Sequence, residues 1–167
     1  NTPVEKLISD PLTTMQSLSV TANPRIPLPG NLYGEKRVNS SGLNLNLPLH
    51  ARTLDDALMC YKPRHWEARP MIAGQDINTA GKPVYSPSIR SMQVGKVVDA
   101  DESFINTAFE NAQNSFAGWS GRAVEERAVI LEKIADLYQE NQAELIALAT
   151  LEAGKTRIDG ILEIREA

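Results

Sequence analysis

Leu151-Glu152-Ala153-Gly154-Lys155-Thr156-Arg157-Ile158-Asp159 is the stretch on which the reading of this 167-residue chain turns. Gly154-Lys155-Thr156 matches the end of a phosphate-binding loop, whose backbone amides cradle phosphate at a helix start. That motif needs a glycine five residues before Gly154, where Ala149 stands, and a strand ahead of the loop. Leu145 to Ala153 instead has the composition of a helix. Gly154 therefore reads as a left-handed helix terminus, and Thr156 with Asp159 three residues later as the cap of the next helix.

Working outward, helical spacing extends in both directions. Ile158, Ile161 and Leu162 line one side of the helix after Thr156, and the sequence stops at Glu166-Ala167 with that stripe still running. Upstream, Asn141 with Glu144 starts the helix that Gly154 ends. Before it, Ala128, Leu131, Ile134, Ala135 and Tyr138 share one face, and Asp99 with Glu102 opens a run through Phe104, Ile105, Ala108, Phe109 and Ala112 to Gly118. Four helices with apolar stripes over about 70 residues make a marginal core alone, so a piece of a larger body is expected.

All ten prolines lie at or before Pro87. They confine helices in that part to the gaps between them. Thr2-Pro3-Val4-Glu5 and Asp10-Pro11 predict two short helices, or one broken helix, over residues 3–18. Asn23-Pro24, Ile26-Pro27-Leu28-Pro29-Gly30 and Asn39-Ser40-Ser41-Gly42 are turn and polyproline chemistry, which predicts a linker. Thr53 with Asp56 predicts a short helix to Tyr61. Met71-Ile72, Val84-Tyr85 and Gln93 to Val98 predict a small antiparallel sheet. The fold class expected is α+β: short helices and linker, a small antiparallel element, then four helices. The divisions expected are residues 1–18 as the end of a preceding region, 19–52 as linker and 53–167 as the start of an incomplete domain.

Formal net charge is +3 through residue 100 and −7 beyond it, −4 in all. An acidic balance disfavours nucleic acid as a partner, since phosphate binding needs clustered positive charge. Cys60 is the one cysteine, so no intrachain disulfide forms and a reducing, cytosolic setting fits. No apolar run approaches a membrane span, and the first ten residues lack the features of a signal peptide.

Candidate chemistry is sparse. His50, Cys60 and His65 match no zinc spacing, and a half-buried structural cysteine is expected. Lys62-Pro63-Arg64-His65-Trp66 with Arg69 is a basic, aromatic cluster, expected to be a solvated loop that meets an acidic neighbour. Asn39-Ser40-Ser41 has the form of a glycosylation sequon, without a secretory signal to give it meaning. Glu125, Glu126, Glu132, Asp136 and Glu140 fall on the polar side of a helix, while Glu163 and Glu166 share one side of the last.

Phe116-Ala117-Gly118-Trp119, Glu126-Arg127-Ala128-Val129-Ile130-Leu131, Ala143-Glu144-Leu145-Ile146-Ala147-Leu148 and Glu152-Ala153-Gly154-Lys155-Thr156 resemble the opening helices of the aldehyde dehydrogenase superfamily. Pro24-Arg25-Ile26-Pro27-Leu28-Pro29, Leu32-Tyr33-Gly34, Arg37 and Gly42-Leu43 resemble the segment joining the two enzymes of the proline utilization A family. Glu163-Ile164-Arg165-Glu166-Ala167 resembles that family too.

The resemblance implies an FAD-dependent proline dehydrogenase barrel upstream and an NAD-dependent glutamate semialdehyde dehydrogenase of which this chain is the start. It implies a homo-oligomer in the cytoplasm, peripheral to the inner membrane, with the remainder of the same polypeptide as partner. The family's catalytic cysteine lies beyond Ala167, and Cys60 lacks its glycine-rich surroundings. No catalytic residue, and no NAD, FAD or metal ligand, is therefore expected here. Glu166 alone resembles a substrate residue, a carboxylate facing the ammonium group of the aldehyde. The rival expectation is a free-standing adaptor that docks through the Phe104/Phe109 and Leu131/Ile134/Tyr138 faces.

Overall fold

The computed structural model describes residues 2–20, 22–76 and 79–167, and these form two compact units, Asn1–Ser41 and Gly42–Ala167.

In the first unit, helices α1 (Val4–Leu7) and α2 (Pro11–Ser17) fall where the prolines allow them. Asp10 accepts from the backbone amides of Leu12 and Thr13, and Pro11 occupies the first helical position, where no amide is missed. The expected cap at Thr2 is not made: Pro3 is the N-cap of α1 and supplies no side-chain bond. A 3-10 turn, Pro29–Asn31, is closed by the Leu32 amide donating to the Pro29 carbonyl (3.4 Å), and the Asn39 amide donates to the Gly30 carbonyl (3.1 Å). Arg37 lies over the Tyr33 ring at 3.9 Å.

The second unit begins with helix α3 (Pro48–Tyr61), which starts five residues earlier than the sequence predicts. Pro48 at the first position supplies the start, and Thr53 is interior, its hydroxyl donating to the Leu49 carbonyl at 2.9 Å. Strands β1 (Trp66–Ala68), β2 (Met71–Ile72), β3 (Gln75–Asp76), β4 (Lys82–Tyr85) and β5 (Gln93–Val97) follow. β2 and β3 form a hairpin through Ala73 (φ 53°) and Gly74 (φ 71°), the two left-handed positions that its two-residue turn requires.

The three-stranded sheet has the order β1-β5-β4. β4 pairs antiparallel with β5, but β1 pairs parallel with it, Trp66 opposite Gly95, which corrects the expected all-antiparallel element. The three residues of β1 carry no alternation and adjoin the basic cluster, so nothing local marks them as a strand. Between Val84 and Tyr85 the register slips, and Val94, only 3% exposed, is the extra residue on β5.

Four helices complete the unit: α4 (Glu102–Ser120), α5 (Val124–Glu140), α6 (Gln142–Ala153) and α7 (Arg157–Glu166). Asp101, not Asp99, caps α4 through the amides of Ser103 and Phe104; Asp99 is held instead by Lys82. Asn141 does not cap α6, because its side-chain amide donates back to the Leu137 carbonyl of α5. Gly154 is left-handed at φ 68°, and Thr156 and Asp159 form a reciprocal capping box. Both features of the deciding stretch are thus as the sequence predicts, and the α+β class holds.

The core sits where α3, α6 and α7 meet. Leu54, Ile146 and Ile161 are buried there, with Leu43, Leu45, Leu58 and Ile164 packed around them. α4 and α5 bury no residue, and Phe109, Phe116 and Leu131 are each more than 60% exposed. Covering such side chains is worth about 1.5–3 kcal/mol each, so these two helices present unmet apolar surface.

Candidate functional site

The last turn of α7 carries the one residue that the sequence marks as a substrate contact. Three features fix that helix. The capping box orients its first turn, Gly160 and Ile161 are buried, and Ile164 packs on the α3/α6 core. A Cβ on Gly160 would stand 2.9 Å from Ile146 Cγ2, so glycine permits the close approach of α7 to α6.

On the outer side, the two carboxylates spaced three apart have different circumstances. Glu163 forms an ion pair with Lys155. Glu166 is exposed, and its side chain takes part in no ion pair or hydrogen bond among the described residues. Between them Arg165 turns the other way and lays its Cδ and Nε against Gly42, within 3.1–3.3 Å of where a Cβ would stand. Glu166 is thus a carboxylate on a positioned turn, free to meet a cationic group. Arg165 and Gly42 have no motif that betrays their contact in sequence.

The remaining candidates separate. Cys60 is exposed rather than half-buried, because the outward face of α3 carries it while Leu54 and Leu58 take the core. His50 accepts a hydrogen bond at Nδ1 from the Asn44 amide (3.2 Å), which ties it to its own helix start. Among the described residues no three histidine, cysteine or acidic side chains converge on a metal-sized site. β5 runs into α4 through Val98-Asp99-Ala100-Asp101, which has no glycine to cradle a dinucleotide's phosphates. That turn therefore lacks the glycine-rich phosphate cradle of a dinucleotide fold.

The basic cluster meets its acidic neighbour as expected. Glu144 Oε1 on α6 accepts from Trp66 Nε1 at 2.9 Å and pairs with the Arg64 guanidinium at 3.1 Å. One carboxylate thereby ties the start of β1 to the helical layer. A cavity of about 470 Å³ opens between α3, α6 and α7, walled by Leu58, Met59, Ile89 and Leu151. At its edge Asp55 pairs with Arg157, so the Asp55 oxygen is satisfied, whereas Thr150 Oγ1 is buried without a partner among the described residues.

Local hydrogen bonding sets the shifted acidities. The Thr156 hydroxyl and amide hold the Asp159 carboxyl below the usual aspartate range, against a smaller opposing effect of burial. The hydroxyl of Ser103 and the Phe104 amide do the same for Asp101, and those of Thr13 for Asp10. Lys82 is raised by its bond to Asp99.

Comparison with known proteins gives a consistent result. The sequence model of the aldehyde dehydrogenase family matches residues 73–167. The bifunctional protein PutA of Salmonella typhimurium is 34% identical over 171 residues, which takes in 99% of this chain and 13% of that protein. The Escherichia coli protein of the same name gives the same identity and coverage.

Among solved structures, proline utilization A from Bdellovibrio bacteriovorus aligns with a TM-score of 0.74 at 25% identity, over 99% of this chain and 17% of that one. The 1-pyrroline-5-carboxylate dehydrogenase of Thermus thermophilus shares the fold, with a TM-score of 0.66 at 23% identity over 88% of this chain and 27% of that one. The chain spans 13% of the length of the curated PutA relatives it matches.

Proposed function

The chain belongs to the aldehyde dehydrogenase family, and from that premise we propose that it is the connecting segment and opening helical part of the NAD-dependent glutamate semialdehyde dehydrogenase half of a bifunctional proline-oxidising enzyme. The observation that carries this reading is the extent of the PutA likeness. It covers 99% of the chain and so includes the residues ahead of position 73, where the family's sequence model begins. The sequence model of the dehydrogenase family alone would leave residues 1–72 unmatched, and the Thermus thermophilus dehydrogenase covers 88% of the chain against 99% for the PutA proteins.

In this reading residues 1–18 close a preceding FAD-dependent proline dehydrogenase region, 19–52 join the two enzymes, and 53–167 open the dehydrogenase. The chain's own role is structural. It buttresses the part of the polypeptide that holds NAD and the nucleophile, and the bare faces of α4 and α5 supply apolar surface for that part to cover. The whole protein works in the cytoplasm as a homo-oligomer, peripheral to the inner membrane. The rival adaptor reading would use the same two faces, but it gives no reason for the likeness across residues 1–72.

Glu166 is the substrate contact. Its carboxylate pairs with the ammonium group of glutamate semialdehyde, an interaction made equally in ground and transition states. Removing it should therefore raise KM and spare kcat. A hydrogen bond to a charged group is worth about 1.5–3 kcal/mol, so Glu166→Ala in the full-length enzyme is expected to raise KM for the semialdehyde roughly 10- to 150-fold. Steady-state kinetics with NAD and semialdehyde measure this. An unchanged KM removes the assignment, and NAD reduction by the isolated 167-residue chain removes the structural role.

A further inference from the structure

Gly42 is the first residue of the second unit, in a stretch that sequence alone reads as linker. Its φ is +61°, and the space where a side chain would begin is occupied by Arg165 of α7, with Cδ at 3.1 Å, Nε at 3.3 Å and Cζ at 3.7 Å. The residues that follow are anchored as well, since Leu43 and Leu45 pack on the same core cluster as Ile164. Arg165 of α7 thus lies on a stretch that is anchored to the same core as Ile164, the residue before it, and Glu166 comes next.

We infer that Gly42 is a positioning residue for Glu166: the bare glycine backbone seats the Arg165 stem, and that seat sets the last turn of α7 at which substrate binds. This rests on Glu166 being the substrate contact. A Cβ at position 42 pushes against the outer part of the Arg165 side chain, Cδ to Cζ, which must give by a few tenths of an ångström while Ile164 beside it is fixed in the core. The displacement reaches a group used for binding and leaves the distant reacting atoms alone, so its signature is in KM rather than kcat.

Two effects of any substitution at Gly42 must be separated, the strain of a left-handed residue and the loss of the Arg165 seat. Asparagine tolerates a left-handed backbone but still carries a Cβ. Gly34 offers the reverse control, with φ +62° and no atom within 4 Å of a Cβ, so Gly34→Ala brings strain without displacement.

The test is steady-state kinetics of the full-length enzyme with glutamate semialdehyde and NAD, for Gly42→Asn, Arg165→Ala, the double variant, Gly34→Ala and Glu166→Ala. Coupled contacts shift energies enough that Gly42→Asn is expected to raise KM roughly 3- to 10-fold, with kcat within about 2-fold. Arg165→Ala, which removes the seated stem and adds no strain, should raise KM in the same sense. The double variant should match Arg165→Ala alone, and Gly34→Ala should match the parent. If Glu166→Ala leaves KM unchanged, the substrate-binding reading itself fails. If Glu166→Ala raises KM while Gly42→Asn and Arg165→Ala leave it at the parental value, or if the double variant is fully additive, the positioning role alone is overturned.

Discussion

Gly95→Ala is the substitution on which the sheet topology stakes most. An ideal Cβ at this position would stand 2.0 Å from the carbonyl oxygen of Trp66 and 2.9 Å from its carbonyl carbon. Ordinary contact begins at 3.4 Å, and the obstructing atoms are backbone, so no rotamer change relieves the clash. β1 must move by about 1 Å or more, against a normal inter-strand spacing of about 4.8 Å. The parallel pairing spans only three residues, Trp66, Glu67 and Ala68 opposite Gly95, Lys96 and Val97, and is continued by the Val98 amide donating to the Ala68 carbonyl at 2.9 Å.

Losing two or three such bonds, at about 1 kcal/mol net each, removes roughly 2–3 kcal/mol of local stability. At 1.4 kcal/mol per tenfold, amide exchange should accelerate roughly 30- to 150-fold. Hydrogen exchange read by mass spectrometry on peptides covering residues 64–70 and 91–99 of the intact protein measures it. Gly118→Ala is the contrasting substitution, since nothing lies within 4 Å of a Cβ there and the position is inside α4. It should stabilise that helix by about 0.5–1 kcal/mol. Exchange in Gly95→Ala within about 2-fold of the parent would refute the parallel β1–β5 pairing.

Two further outcomes follow from side-chain bonds. Glu144→Gln keeps an acceptor for Trp66 but drops the attraction to Arg64, whereas Glu144→Leu leaves the half-buried indole N–H unpaired, at a cost of about 1–3 kcal/mol. In a Trp119→Phe background, Trp66 emission should shift red in the order parent, Gln, Leu, and indistinguishable spectra would contradict the shared acceptor. Asp10, Asp101 and Asp159 all have folded-state acidities below the ordinary 3.8, owing first to bonds from Thr13, Ser103 and Thr156. For a lowered carboxylate the stabilising contribution is complete above the unfolded value and is lost as pH falls through the folded one. These caps should therefore persist at pH 4 and fail only in stronger acid. Thr156→Val should move the Asp159 midpoint, followed by carboxyl NMR, back up toward 3.8, and an unmoved midpoint would deny the capping box its part.

The sequence is legible where one local choice is decisive. Asp10-Pro11, Gly154 and Thr156 with Asp159 act within a turn or two of backbone, and each does in the structure what its chemistry requires. It misleads where two residues qualify and a distant contact selects between them. Asp99 and Asp101 are both competent caps, but Lys82, 17 residues away, engages Asp99. Asn141 can cap α6 but binds the end of α5 instead. β1 is illegible because a parallel strand of three residues draws its stability from the strand beside it, not from its own pattern. Arg64 and Trp66 declare a need for an acidic partner, yet which of thirteen acidic residues beyond position 100 supplies it depends on the fold bringing α6 to β1.

The candidate site shows the same division. Among the charged side chains of α7, Asp159 is engaged in the cap, Arg157 with Asp55, Glu163 with Lys155, and Arg165 lies on Gly42. Replacing Asp159, Arg157 or Glu163 removes a contact within the second unit, so a kinetic effect there would mix folding with binding. Glu166 has no such contact among the described residues. Its replacement leaves the core of Leu54, Ile146 and Ile161 and the α7 cap intact, so any rise in KM on Glu166→Ala is attributable to what the carboxylate does for a ligand. The position in α7 least used by the fold is therefore the one at which a substrate role is most cleanly tested.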